Sequence, residues 1–88
     1  MPEISTFHGM RIYMYYSDND RHHKPHIHVF YGEYEAVVGI DGELIESGLP
    51  TKQFKILSAW LVIHEDELYA TWNKAVKGET FEQIEPLI

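Results

Sequence analysis

The feature that most constrains this 88-residue chain is a change of hydrophobic period near Pro50. Before it, apolar residues alternate with polar ones between clusters of turn residues, the pattern of strands. After it, Leu57, Leu61, His64, Leu68, Trp72 and Ala75 recur at intervals of 4, 3, 4, 4 and 3, which places them on one stripe of a helix. A chain that separates its strands from its helix in this way is expected to be α+β, with a small antiparallel sheet covered on one face by helix.

The strands are expected at about 4–7, 10–16, 26–31, 34–40 and 43–46. His8-Gly9 closes the first. In the second, Met10, Ile12, Met14 and Tyr16 share a face. Ser17-Asp18-Asn19-Asp20 is a dense turn signal, so 17–25 reads as a loop. Only Gly32-Glu33 separates the third strand from the fourth, whose Tyr34, Ala36, Val38 and Ile40 would face the core. Asp41-Gly42 is a hairpin signal. The helical segment spans 51–77, with Thr51 as N-cap and Gly78 as stop. A straight helix of that length would measure about 40 Å, against an expected radius of gyration of roughly 12 Å for the whole chain. A break near His64-Glu65-Asp66 is therefore expected, giving two helices or one bent helix. Pro86 limits the tail to an extended or edge segment. The expected core is Ile12, Met14, Ala36, Val38, Ile40, Leu57, Leu61, Leu68 and Trp72.

No linker composition or internal repeat divides the chain, so 1–88 reads as a single domain. Cysteine is absent, which excludes disulfides and thiolate zinc sites and fits a reducing, cytoplasmic setting. Met1-Pro2-Glu3 does not open a signal peptide, and the apolar run 59–63 falls far short of a membrane span. The formal net charge of −7, with scattered Lys and Arg, argues against nucleic-acid binding.

Four of the six histidines fall between positions 22 and 28. His26 and His28, two apart on a strand, would project from one face. His22 or His23, on the preceding loop, can fold back beside them, and Asp18, Asp20 or Glu33 can add an oxygen. Three readings compete. His22, His26 and His28 with Asp20 suit a divalent transition metal such as zinc, manganese, nickel or iron, and an open coordination position would permit hydrolysis. The same histidines, without metal, suit acid–base catalysis on a phosphoester, with Arg21, Lys24 or Arg11 as phosphate clamp. The third reading is structural, with hydrogen-bonded histidines packed beside Tyr13 or Tyr15. Elsewhere, His8 reads as a turn residue and His64 as a buried, hydrogen-bonded histidine at the helix bend. Trp72 reads as core. Trp60 also reads as core, although a surface position would make it an interface residue.

Met1-Pro2-Glu3-Ile4-Ser5, Phe7 and Gly9, the aromatic run 12–16, His22-x-x-Pro25-His26-x-His28, Tyr31-Gly32-Glu33-Tyr34-Glu35-Ala36, the Trp72 region and the closing Ile84-Glu85-Pro86-Leu87 resemble a small prokaryotic family, domain of unknown function 4160. The resemblance covers nearly the whole chain. Asp20-Arg21 and Lys24 stand where the family usually has Asn-Asp and a second proline, and His23 is an addition. The resemblance implies a bacterial cytosolic protein with a small protein partner encoded nearby, in a toxin–antitoxin-like pair. The leading expectation is thus a binding or regulatory module whose histidine cluster is its functional surface. The alternatives are a small metal-dependent or histidine-based hydrolase and a self-associating structural domain, the last favoured if Trp60 and a sheet edge are exposed.

Overall fold

The computed structural model describes residues 3–14, 24–46 and 48–87. Strands β1 (Glu3–Phe7), β2 (Met10–Tyr13), β3 (His26–Tyr31), β4 (Tyr34–Gly39) and β5 (Leu44–Glu46) precede one helix, α1 (Thr51–Val76). The strands form one sheet in sequence order, every neighbouring pair antiparallel. This is the expected α+β arrangement. The expected second strand ends at Tyr13, and its last two positions, 15 and 16, lie outside the described residues.

Register follows the apolar pattern. Ile12 pairs with Val29, Ile27 with Val38 and Val29 with Ala36, so these buried side chains line one face under α1. A slip of one residue would turn them all to the other side. The opposite face carries Arg11, Tyr13, His28, Phe30, Glu35 and Val37. An irregularity between Glu3 and Ser5 shifts the β1 register, and Ile4 and Ser5 are both buried there. Tyr34, expected in the core, is 44% exposed, because it stands at the Gly32-Glu33 turn beyond the helix cover. All nine expected core residues are buried.

At the start of α1, Pro50 is the N-cap and Thr51 is already helical, so Thr51 is not the cap that was expected. Proline's fixed φ sets the entry, and its carbonyl accepts the first helical bond from Phe54 at 3.0 Å. At the far end, Gly78 N–H donates to Ala75 and Glu79 N–H to Lys74, a Schellman closure with Gly78 at φ 76°. Between them the helix bends at His64 (φ −110°, ψ 17°), as the length argument required. A straight 26-residue helix would be about 39 Å long, yet the longest extent of the molecule is 34 Å.

The bend divides the work of α1. The first half lies on the sheet, anchored at its start by Gln53 Nε2 donating to the His8 carbonyl in the β1–β2 turn (2.9 Å). The second half reaches the end of the sheet where β3 begins. There the Trp72 ring lies 5.2 Å from that of His26, and burial, then the negative charges of Asp41 and Glu65, push the Tyr69 hydroxyl above its ordinary pKa. The extended tail then passes β1, with Ile84 N–H donating to the Ile4 carbonyl (2.8 Å) and Trp60 Nε1 donating to the Glu85 carbonyl (2.8 Å). Trp60 is fully buried, so it is no surface anchor for self-association.

Candidate functional site

The site is built on the first residues of β3. Lys24 lies opposite Asp41 when the β3–β4 register is continued past His26 and Gly39, which face one another. Gly39 leaves open the space the Lys24 stem occupies; a Cβ there would stand 3.1 Å from Lys24 Cε. The ammonium crosses it to Asp41 (2.8 Å) and Glu43 (2.9 Å). Hydrogen bonds to these two carboxylates hold the Lys24 pKa above its ordinary value, and Lys24 in turn holds that of Asp41 below the usual carboxylate range. Ile40 N–H donates to the Pro25 carbonyl (3.1 Å) and fixes the same corner.

That corner orients His26. Its Nδ1 lies 2.8 Å from the Lys24 carbonyl oxygen. A carbonyl only accepts, so Nδ1 carries the proton and, in the neutral ring, Nε2 carries the lone pair. The ring is 0% exposed, between Trp72 at 5.2 Å and His28 at 5.3 Å. Strand alternation therefore does bring His26 and His28 together, as their spacing predicts. Their exposures differ: the Trp72 ring packs on His26 at the strand's beginning, and His26 is fully buried. His28 is half-buried, between Tyr13 on β2 and Val37 on β4. Tyr13 continues the surface, edge-on to Phe30 (5.4 Å), and Arg11 donates to its hydroxyl and to Glu3.

The remaining candidates divide. His22 and Asp20, with Asp18, Arg21 and His23, lie outside the described residues. Glu33 does not join the histidines: it sits in the β3–β4 turn, at the other end of β3 from His26. Lys24, expected as a phosphate clamp, is instead engaged by two carboxylates. Among the described residues no three His, Asp or Glu side chains converge as a metal centre needs. His8 is an exposed turn residue, as expected. His64 lies over Trp60 (5.6 Å) with Nδ1 2.9 Å from the Glu67 carboxylate, at the bend as expected and half-buried. Sequence reading missed the Lys24–Asp41–Glu43 cluster, although the hairpin register centred on Gly32-Glu33 already sets 24 opposite 41. It also missed the packing of Trp72 on His26.

The family model described as Domain of unknown function (DUF4160) matches residues 9–73. The chain belongs to this family. The matched span takes in β2 to β5, the histidine run, the Lys24 cluster and α1 through Trp72, and it stops short of the tail. No curated protein and no solved structure matches this member of the DUF4160 family. Among its described residues, no helix is long and apolar enough to cross a membrane.

Proposed function

We propose that this DUF4160 protein is the binding component of a bacterial, cytoplasmic two-gene system of toxin–antitoxin type. Its functional surface is the sheet face around His28, through which it holds a small protein encoded nearby. The observation that supports this reading is the division of labour between the two histidines. His26 is enclosed and hydrogen-bonded to backbone, so it positions its neighbours. His28 is only partly buried, beside Tyr13, Phe30 and Arg11. An aromatic face with an imidazole and a guanidinium has the residue types enriched in protein interfaces. Co-expression with the adjacent gene product tests it. A stable complex is expected to co-purify, and His28→Ala, with an unchanged circular dichroism spectrum, to weaken it roughly tenfold. Growth arrest caused by the protein alone and lost in His28→Ala would overturn the reading in favour of an enzyme.

The second reading is a small metal-dependent or histidine-based hydrolase, and one observation favours it. A histidine that donates one ring N–H to a backbone carbonyl has the other nitrogen oriented as a ligand, the usual outer-shell arrangement at metal sites. Zinc, manganese, nickel or iron would require His22 or Asp20 as further ligands. Elemental analysis of untagged protein discriminates: near-stoichiometric metal in the wild type and none in folded His28→Ala supports this reading, and no uptake after dialysis against each metal removes it.

A further inference from the structure

The outward face of α1 carries a pattern that the fold does not use. Lys55, Ala59, Val62 and Asp66 recur at intervals of 4, 3 and 4, all exposed, with Lys52 before them, Ile63 beside them and Glu65 next to Asp66. Val62 is 77% exposed and Ile63 63%, the two most exposed large apolar side chains described. A notch of about 170 Å³ opens beside Val62, lined by Ile40, Leu61 and Ser58 with Asp41 and Glu65 at its edge. The stripe is basic at one end, small and apolar in the middle, and acidic at the other.

A uniformly basic or uniformly acidic partner would match only one end of this stripe. An antiparallel copy of the same helix matches both. Lys55 and Asp66 are equally distant from a point between residues 60 and 61, and so are Ala59 and Val62. A two-fold axis there sets each Lys55 against the other copy's Asp66 and each Val62 against the other Ala59. The alanine lets the helices approach closely, and a two-fold contact is self-complementary by construction. We infer that two copies of this chain associate through α1, antiparallel, with reciprocal Lys55–Asp66 pairs around a Val62–Ala59 centre. The contact is small and the net charge of −7 opposes it, so the dimer forms as concentration rises. It is separate from the His28 surface and does not rest on the reading of that surface.

Sedimentation velocity across a wide concentration range, with the full chain, tests it. The wild type is expected to pass from monomer to dimer, and His28→Ala to do the same. Val62→Glu, Lys55→Glu and Asp66→Lys are each expected to raise the dissociation constant roughly tenfold or more, because every change acts twice across the axis. The double charge swap Lys55→Glu with Asp66→Lys is expected to restore association. These positions are solvent-facing, and an unchanged circular dichroism spectrum shows that each variant folds. A wild type that stays monomeric throughout overturns the proposal. So does a double swap that fails to restore the dimer, or a different protein that occupies the face and is lost in Val62→Glu.

Discussion

His26 is enclosed, with the Trp72 and His28 rings tilted against it, and its Nδ1 donates to the Lys24 carbonyl. Truncation to alanine leaves a cavity and an unpaired carbonyl. His26→Ala is therefore expected to cost about 2–4 kcal/mol in urea unfolding, whereas half-exposed His28→Ala should cost under about 1 kcal/mol. Equal losses would mean that His28 is as structural as His26. Ser5 presents the converse case: its buried Oγ has no hydrogen-bond partner among the described residues. Ser5→Ala is expected to raise stability by about 1 kcal/mol, measured in the same way, because an unsatisfied hydroxyl is removed. The Lys24 cluster sets a pH dependence at both extremes. Asp41 titrates below its ordinary 3.8 in the folded protein, so its contribution is complete above that value and is lost as pH falls through the depressed pKa. Lys24 titrates above its ordinary 10.5, so its contribution is complete below that value and is lost as pH rises through the raised pKa. Lys24→Met should flatten both limbs of a stability–pH curve.

At the scale of elements, the helix shows how length and composition together dictate shape. The stripe from Leu57 to Ala75 is continuous through the bend, so periodicity alone reads as one helix; the size of the molecule forces the bend. His64 marks the place, with Glu67 bonding its ring three residues on. Two glycines hold the helix ends in position. Gly78 adopts φ 76° in the Schellman closure, and Gly78→Ala is expected to cost about 1 kcal/mol. Gly48 runs against β4, where a Cβ would stand 1.7 Å from the Glu35 carbonyl oxygen. Gly48→Ala must push β4 and the entry to α1 apart, and is expected to lower the thermal midpoint far more than Gly78→Ala; the reverse order would show that the segment yields without cost. The tail's anchor is testable separately. Ile84 is buried against the core, and Ile84→Ala should cost about 2–4 kcal/mol.

Among the described residues, one apolar cluster joins residues of the sheet, both halves of α1 and the tail residue Ile84. Unfolding should therefore be a single transition, with tryptophan fluorescence and far-ultraviolet circular dichroism changing together; separate midpoints would mean that the tail or the second half of α1 opens independently. The strand alternation, the turn residues and the helical stripe depend on neighbours within a few residues, so the sequence by itself determined the five strands, the β3–β4 and β4–β5 hairpins, nine residues of the core and the need for a broken or bent helix. It also determined that His26 and His28 share a strand face, because that follows from a period of two. Only the tertiary structure decided that they differ in exposure, since the Trp72 ring packed on His26 comes from a helix more than forty residues on. For the same reason it alone decided that Lys24 belongs to the acidic β4–β5 corner, and that Val62 is left facing solvent.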